Sequence, residues 1–228
     1  MGIKPVTHVL FDMDGLLLNT EDLYTELFQN IVSKYGKNYT FDLKMKLMGS
    51  QAHETAEIIT SELDLPMTPE EFQQECQKGE SLFANCKLMP GAKSLIEHLH
   101  KHNVPMALAT SSGEDSYHLK VDKNHSEIFS LFPYKTFGSS DPTVKQGKPH
   151  PDIFLVTAAK FPERPAPEKC LVLEDAVNGV KSAVAAGMQV VVVPDTRIDK
   201  ALLTEATQIL NSLEEFKPEL FGLPPFDD

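Results

Sequence analysis

The sequence predicts a doubly wound α/β fold, a parallel sheet with helices on both faces, interrupted near its start by an all-helical insertion. Three observations predict this fold. Short apolar runs alternate with helix-like stretches, and the runs are almost continuously apolar, as in strands buried on both faces. After the first run, a long stretch has only helical periodicity. A chain of 228 residues is long enough for such a core and an insertion.

Five segments have the length and composition of buried strands, and turn residues bound each of them. The predicted strands cover residues 7–12, 105–110, 134–138, 169–175 and 189–194. Between them, crossover helices are predicted over residues 90–103, 151–161 and 178–188. Pro90 and Pro151 suit the first position of the first two helices.

The insertion is predicted from the residues that follow the first strand. Residues 21–36 have apolar side chains at helical spacing, and the helix is expected to end at Gly36. Residues 53–65 repeat this pattern, and residues 68–71 read Thr-Pro-Glu-Glu, a capping box that opens a helix expected to run through Phe83.

These patterns predict two domains. Residues 1–16 and 89–228 form the α/β catalytic core, and residues 17–88 form a helical cap of three or four helices. Linkers at residues 16–20 and 87–90 would join them. We find no internal repeat.

The charge balance restricts the partners. The chain has 21 Lys and Arg against 33 Asp and Glu, a formal net charge of -12, whereas nucleic acids and anionic membranes attract basic surfaces. No apolar stretch is long enough to span a bilayer, and no signal peptide is recognisable at the start. Three cysteines without paired spacing suggest reduced thiols. We therefore expect a monomeric cytoplasmic protein whose partner is a small molecule.

The first candidate site residues are Asp12 and Asp14, at the end of the first strand. Side chains two apart in an extended chain point the same way, so both can face the crevice where open α/β sheets bind ligands. An Asp-x-Asp pattern alone is equally typical of a solvated acidic turn.

Three further strand ends or loops carry polar residues at the same predicted sheet edge. Each has an ordinary structural explanation, such as a turn, a surface lysine or a helix cap. Together with the acidic pair they predict a phosphate site. These residues are Thr110, Ser111, Ser112 and Gly113 after the second strand, Lys148 between Gly147 and Pro149, and Glu174 and Asp175 after the fourth strand.

This residue set favours magnesium. Asp12, Asp14 and Asp175, with Glu174 nearby, offer hard oxygen ligands, whereas the sulfur and imidazole ligands typical of zinc are missing from these motifs. A carboxylate 4 Å from a phosphate dianion is repelled by about 8 kcal/mol at an effective dielectric of about 20. Mg²⁺ and Lys148 would offset that repulsion.

The four motifs DMDG at 12–15, ATSS at 109–112, GKPHPD at 147–152 and LEDA at 173–176, in this order, resemble the haloacid dehalogenase (HAD) superfamily. The resemblance covers the whole chain and implies a Rossmann-type core with the cap at the first insertion site. It implies that Asp12 is a nucleophile forming an aspartyl-phosphate and that Asp14 is the general acid and then the base.

The same resemblance assigns the remaining site residues. Thr110 and Ser111, with Ser112 beside them, would bind the phosphoryl group, and Lys148 would hold it against Asp12. Asp175, Asp12 and the Asp14 carbonyl would hold Mg²⁺, with Glu174 bound directly or through water.

Three functions remain open at this point. An Asp two residues after the nucleophile indicates phosphoryl transfer within this family rather than dehalogenation. A phosphatase of a small phosphorylated metabolite, such as a nucleotide, glycerol phosphate or a deoxysugar phosphate, fits best. A sugar phosphomutase calls for a cap His and Arg, where this chain has Tyr24 and Ala52, with His53 adjacent. A catalytically silent binding protein is the third.

Substrate choice is predicted to depend on the cap. Glu21, Tyr24 and the turn at residues 49–53 are expected to face the leaving group. Asn19 and His150 replace the Asp that the family motifs usually carry at both positions. These departures concern the hinge and the loop before Lys148.

Overall fold

The computed structural model describes residues 2–227 and has a six-stranded parallel sheet at its centre. The strand order is β3-β2-β1-β4-β5-β6, so the chain starts in the middle of the sheet and winds outwards in both directions. The strands are β1 (His8–Phe11), β2 (Met106–Thr110), β3 (Tyr134–Phe137), β4 (Cys170–Glu174), β5 (Gln189–Val192) and β6 (Gln208–Ile209).

The doubly wound α/β fold predicted from the sequence is confirmed. All five predicted strands are present, with bounds within two residues of those expected. Strand β6 was not predicted, because two residues are too short to produce a pattern. It extends the sheet by pairing with Val191 and Val192 of β5.

Helices cover both faces of the sheet, which explains the continuous apolar runs. On β1, Val9 and Phe11 contribute to one hydrophobic cluster and Leu10 to the other. One face is covered by α5 (Ala92–Lys101), α6 (Glu114–Val121) and α7 (Ser126–Phe129), and the other by α8 (Asp152–Ala159) and α9 (Val177–Ala185).

Two expectations about the core helices need correction. Helices α6 and α7 were not predicted. The pattern of α6 is obscured because a lysine interrupts its apolar face. The two prolines expected at the first helical position also lie before their helices rather than in them. Pro151 is the N-cap of α8, and Pro90 precedes Gly91, the N-cap of α5. Gly91 has φ 81°, a conformation that favours glycine.

Between β1 and α5 the chain forms a helical segment, residues 20–85, with its own hydrophobic cluster. The capping box at Thr68 and Glu71 is present with Pro69 as the first helical residue. The helix it opens ends at Gly79 and continues to Asn85 as a 3₁₀ helix. The helices are α1 (Thr20–Ser33), α2 (Phe41–Leu47), α3 (Ala52–Glu62), α4 (Pro69–Gly79) and the 3₁₀ helix Glu80–Asn85.

Two short linkers join this segment to the sheet and run side by side. The backbone N–H of Met89 donates to the carbonyl of Leu17 at 2.8 Å, and that of Asn19 donates to the carbonyl of Lys87 at 2.9 Å. The Asn19 side chain adds a third bond, accepting from the N–H of Lys87 at 2.6 Å. The connection is therefore a single narrow, hydrogen-bonded crossing.

The turn between α2 and α3 docks on the sheet edge. Ser111 Oγ donates to the carbonyl of Gly49 at 2.7 Å, and Gln51 Nε2 donates to the carbonyl of Gly138 at 2.7 Å. Asn178 Nδ2 donates to the carbonyl of Met48 at 3.1 Å. This turn thus contacts residues that follow β2, β3 and β4, and the helical segment covers the carboxyl end of the sheet.

The expectations about membrane-spanning segments and about the cysteines can be compared with the structure. Within residues 2–227 no helix combines the length and apolar character that crossing a bilayer requires. Cys86 and Cys170 are buried free thiols, and Cys76 is half-buried.

Candidate active site

The first carboxylate of the site is positioned by sheet pairing. The backbone N–H of Asp12 donates to the carbonyl of Leu173 at 3.0 Å, which sets Asp12 beside the end of β4. The chain then turns sharply at Gly15, whose φ of 86° favours glycine. A Cβ at Gly15 would also overlap the carboxylate of Asp175. The glycine therefore permits both the turn and the close approach of that carboxylate.

Lys148 and the carboxylates of Asp12, Glu174 and Asp175 form one group, the Lys148 cluster. The lysine ammonium donates to Asp12 Oδ1 and to Glu174 Oε1, each at 2.6 Å, and its side chain is 0% exposed. Glu174 Oε2 accepts from the backbone N–H groups of Asp175 and Ala176 at 2.8 and 2.9 Å. Both Glu174 oxygens are therefore engaged, and this residue orients Lys148.

Room for Glu174 is provided by the helix that packs against it. Gly179 lies in α9, and a Cβ at this position would overlap the Glu174 carboxyl group. A glycine inside a helix is unfavourable on its own. Here it lets the helix approach the carboxylate closely.

Three carboxylates share this cluster with one ammonium, and this crowding shifts the pKa values of two of them. Burial raises the pKa of Asp12 to about 8, and Glu174 adds to that effect, although Lys148 opposes it. Burial and the neighbouring Glu174 and Asp12 hold the pKa of Asp175 well above its ordinary value. One lysine does not offset three buried carboxylates.

A divalent cation fits this arrangement. Asp12, Glu174 and Asp175 each present a carboxylate oxygen, and these atoms lie within 4.8 Å of one another. Oxygen ligands suit Mg²⁺, and a positive charge here would stabilise the ionised form of the carboxylates. Both Glu174 oxygens already accept hydrogen bonds, so Asp12 and Asp175 are better placed to bind directly.

Asp14 belongs to a second group, the Lys120 cluster, which also contains Ser112, Tyr24 and Thr20. Asp14 Oδ1 accepts from Lys120 Nζ at 2.7 Å and from Thr20 Oγ1 at 2.6 Å. Asp14 Oδ2 accepts from Ser112 Oγ at 2.8 Å. The ammonium also donates to Tyr24 at 2.8 Å and to Ser112 at 3.0 Å.

These donors determine the charge of Asp14. Burial acts to raise its pKa, yet Lys120, Thr20 and Ser112 together hold the pKa of Asp14 below its ordinary value. Burial acts to lower the pKa of Lys120, but Asp14 and Tyr24 together raise it. Asp14 is thus a carboxylate with both oxygens hydrogen-bonded, in contrast to Asp12.

The predicted phosphate-binding residues lie next to this carboxylate. Thr110 Oγ1 accepts from the backbone N–H of Ser112 at 3.1 Å and donates to Asp14 Oδ2 at 3.4 Å. Ser111 and Ser112 line a cavity that also contains Asp12 and Asp14. The Ser111 hydroxyl is bonded to Gly49 of the helical segment.

This cavity, about 190 Å³ in volume, extends from the carboxylates into the helical segment. Glu21 and Tyr24 line it, as do Gly49, Ser50 and Ala52, whereas His53 is exposed and does not. Burial raises the pKa of Glu21 to about 7, although Lys44 opposes it. The aromatic wall of this cavity consists of Tyr24, Phe28, Tyr39, Phe72 and Phe83, and polar side chains such as Gln73 and Gln77 line the cavity beside it.

The sequence did not reveal Lys120, Thr20 or Gly179. The signal for Lys120 was present, because Tyr117, Lys120 and Val121 are spaced as the buried face of a helix and a lysine on such a face needs a partner. Thr20 and Gly179 resemble ordinary helix residues, and only the fold brings them to the site.

Comparison with known proteins identifies the family. Residues 9–193 match the model of the haloacid dehalogenase-like hydrolases, which is most of the chain. The chain belongs to the haloacid dehalogenase-like hydrolase family. Solved structures of similar fold include CbbY from Rhodobacter sphaeroides in complex with phosphate, with a TM-score of 0.76 and 23% identity. That match covers 92% of this chain and 96% of that chain. Another is β-phosphoglucomutase from Clostridium difficile, with a TM-score of 0.77, 22% identity, and 95% and 97% covered.

Several of its sequence relatives are named as phosphatases. A probable pseudouridine-5'-phosphatase from Drosophila melanogaster is 51% identical over 99% of this chain and 98% of its own length. (DL)-glycerol-3-phosphatase 2 from Arabidopsis thaliana is 46% identical over 100% of this chain and 95% of its own length. The protein is accordingly a phosphoric monoester hydrolase of this family.

Proposed function

We propose that this protein is a Mg²⁺-dependent phosphomonoesterase that works through an aspartyl-phosphate on Asp12. The observation that supports this most is the Lys148 cluster, where a fully buried ammonium fixes one oxygen of Asp12 and two further carboxylates crowd the same point. A carboxylate serves as a nucleophile only when ionised, and Lys148 together with a bound cation would keep Asp12 in that form.

In the first step, Asp12 attacks the phosphorus of the monoester. Lys148 holds Oδ1, so Oδ2 is the attacking oxygen. The bond from phosphorus to the leaving oxygen breaks, and that oxygen takes a proton from Asp14, which must first have bound one from solvent because its lowered pKa favours the carboxylate. Lys148, the Thr110 hydroxyl and the Ser111 backbone N–H bind the phosphoryl oxygens as charge shifts onto them.

In the second step, water attacks the phosphorus of the aspartyl-phosphate. Asp14, now a carboxylate, accepts the proton of the attacking water. The bond between phosphorus and Asp12 Oδ2 breaks, which releases inorganic phosphate and restores the free carboxylate. The hydrogen bonds from Lys120, Thr20 and Ser112 favour the ionised Asp14 that this step requires.

Asp12, Asp175 and the backbone carbonyl of Asp14 would hold the Mg²⁺. The ion would neutralise the phosphate and the carboxylates that face it. Glu174 would act through Lys148, and through water on the metal. Gly15 and Gly179 give these side chains the space that they need.

The helical segment is proposed to act as a cap domain, with the domain bounds at residues 17–88. Its single narrow connection would allow it to move away for substrate entry, and its docked turn would exclude water during phosphoryl transfer. Residues 1–16 and 89–228 would then form the catalytic core. Glu21 and Tyr24 would face the leaving group from the cap.

Pseudouridine 5'-phosphate is the proposed substrate. The relative that is 51% identical carries this activity in its name, and the stretch NSLEEFKPELFGLPP near the end resembles the same enzyme. The aromatic wall of the cavity supports it, because a planar base can stack on such rings. Glycerol phosphate is the second candidate, favoured by the relative that is 46% identical. Polar side chains that line the same cavity, among them Thr55, Gln73 and Gln77, would bind its hydroxyl groups.

The proposed function is tested by phosphate release from a panel of monoesters with and without Mg²⁺. The panel comprises pseudouridine 5'-phosphate, UMP, glycerol phosphate and deoxyglucose 6-phosphate, and β-glucose 1-phosphate is added to detect a mutase. Asp12→Asn is the control. We expect Mg²⁺-dependent release that is fastest with pseudouridine 5'-phosphate and lost in the variant. Metal-independent activity, or isomerisation to glucose 6-phosphate without phosphate release, would contradict the proposal.

Two weaker expectations accompany it. We propose that the protein is a monomer, since the cap domain already covers the site. We also propose a cytoplasmic location, in keeping with three free thiols.

A further inference from the structure

Lys120 is a second lysine whose side chain is 0% exposed, and it lies outside the four motifs. A buried ammonium is costly unless its protons all find acceptors. Here each of the three protons has one: Asp14 Oδ1 at 2.7 Å, Ser112 Oγ at 3.0 Å and Tyr24 at 2.8 Å. Methionine could fill the same space without this cost, so the charge has a role other than packing.

The partners of Lys120 come from both parts of the molecule. Asp14 and Ser112 follow core strands, whereas Tyr24 belongs to α1 of the helical segment. The ammonium also lies 5.0 Å from the ring centre of Tyr24 and 5.3 Å from that of Phe83 in the 3₁₀ helix. One cation thus binds the carboxylate of Asp14 and contacts two aromatic rings of the docked helical segment.

Lys120 reaches the cavity only through its partners. Asp14, Tyr24, Phe83 and Ser112 line the cavity, and Lys120 does not. Its ammonium therefore acts on the reaction by holding other groups. With Thr20, it fixes Asp14 Oδ1 and so sets the direction of the whole carboxylate.

We propose that Lys120 is a positioning residue that aligns Asp14 for its two proton transfers and makes this alignment depend on docking of the helical segment through Tyr24. The inference rests on the proposed function, since it assigns a task to Asp14. When the segment moves away, the ammonium keeps Asp14 and Ser112 but loses the Tyr24 hydroxyl and both rings. Asp14 is then held by fewer constraints, and it is fully aligned only when the site is covered.

Three variants test the role of Lys120. Lys120→Met removes the ammonium but keeps the stem, and Lys120→Arg keeps the charge. Lys135→Met is the matched control, because Lys135 is a partly buried core lysine that donates to the carbonyl of Phe132 at 2.7 Å and lies 6.0 Å from the Tyr117 ring centre, outside the cavity. For each variant kcat and KM are measured with the best alkyl monoester of the panel and with p-nitrophenyl phosphate, whose leaving group departs without a proton.

We expect Lys120→Met to lower kcat for the alkyl ester by about 100-fold, the range of a lost acid-base contribution, with KM changed less than about threefold. The loss of kcat/KM with p-nitrophenyl phosphate should be clearly smaller than with the alkyl ester, since kcat/KM covers only the steps through phosphorylation of Asp12 and this leaving group needs no acid. Lys120→Arg should recover part of kcat, and Lys135→Met should leave both constants within about twofold of the wild type.

Tyr24→Phe tests the link to the helical segment, because it removes only the hydroxyl. We expect it to lower kcat about tenfold in the wild-type background and hardly at all in Lys120→Met, as non-additivity requires when two residues act through one another. If Lys120→Met does not fold, Lys120→Arg replaces it. The same non-additivity is then measured by comparing kcat of Lys120→Arg, of Tyr24→Phe and of the variant that combines both changes.

Other results would overturn the inference. Wild-type kcat in folded Lys120→Met would do so, as would an equal loss of kcat/KM with both substrates that Lys120→Arg does not reverse. Full additivity of Tyr24→Phe and Lys120→Met would remove the link to docking. Failure of the proposed function looks different: the wild type itself would release no phosphate from any monoester, p-nitrophenyl phosphate included.

Discussion

The two lysine clusters on either side of the Asp-x-Asp motif are alike in burial and opposite in charge balance. Lys148 contacts two carboxylates and has a third nearby, so carboxyl groups outnumber cationic groups in its cluster. Lys120 contacts one carboxylate, and its other partners are hydroxyls. The pKa of Asp12 is therefore raised to about 8, whereas that of Asp14 is lowered.

This difference in charge balance fits a different task for each cluster. The Lys148 cluster needs a divalent ion and a phosphate nearby, and it is built only from core residues. The Lys120 cluster is already balanced, and it includes two residues of the helical segment, Thr20 and Tyr24. Binding and attack at phosphorus would thus belong to the core, while proton transfer at Asp14 would depend on both parts of the molecule.

The largest effect is expected from Lys148→Met. This change removes a donor that contacts the nucleophile and would contact the phosphoryl group, so kcat should fall by about 10³-fold. The loss should exceed that of Lys120→Met with every substrate, p-nitrophenyl phosphate included. Steady-state kinetics on both folded variants would check this. A greater loss in Lys120→Met would reverse the tasks assigned to the two clusters.

Asp175→Asn should separate metal binding from chemistry. Removing one of the carboxylates near Asp12 weakens the attraction for a cation, so the Mg²⁺ concentration for half-maximal activity should rise by about 10- to 100-fold. Asp152→Asn, a carboxylate that accepts from the N–H groups of Lys145 and Gln146, is the control. A Mg²⁺ requirement unchanged in Asp175→Asn would argue against the proposed ligand set.

Gly179→Ala tests how tightly the Lys148 cluster is packed. The new methyl group would overlap Glu174, so we expect the free energy of unfolding to fall by about 1–3 kcal/mol and phosphatase activity to fall with it. Lys181→Ala, on the exposed side of the same helix, should stay within about 0.5 kcal/mol of the wild type. Denaturant unfolding measures both. A neutral Gly179→Ala would mean that Glu174 can move freely.

The smallest effect concerns a third Lys-Asp pair, Lys160 and Asp141, which is only partly buried. Although burial opposes it, the hydrogen bond from Lys160 lowers the pKa of Asp141 to about 2, from an ordinary value of 3.8. A lowered folded-state pKa gives stability that is present above the unfolded-state pKa and is lost as the pH falls toward 2. Asp141→Asn should therefore cost about 1 kcal/mol at neutral pH and nothing near the folded pKa. A cost that is independent of pH would contradict this assignment.

The parts of the site that lie at strand ends could be predicted from the sequence. Buried parallel strands have a recognisable composition, and their carboxyl ends meet at one edge of the sheet. Asp12, Asp175 and the residues after β2 could therefore be placed near one another from the pattern of apolar runs alone. The Lys148 loop was found because its lysine stands between turn residues.

What lies on helices could not be predicted in the same way. Helix α6 was not recognised, because Lys120 replaces an apolar residue on its buried face. Its partners Tyr24 and Phe83 are distant in sequence, and only the docking of the helical segment brings them together. The interior of that segment likewise supplies the aromatic wall, which depends on how four helices pack.

The central claim is that Asp12 becomes phosphorylated during turnover, and rapid acid quenching tests it most directly. Enzyme mixed with substrate carrying radiolabelled phosphate would be quenched within one turnover, digested and mapped. We predict that the label is on the peptide containing Asp12, that hydroxylamine removes it as expected of an acyl phosphate, and that Asp12→Asn carries none. Full phosphate release without any labelled protein, or a label on another residue, would contradict the mechanism.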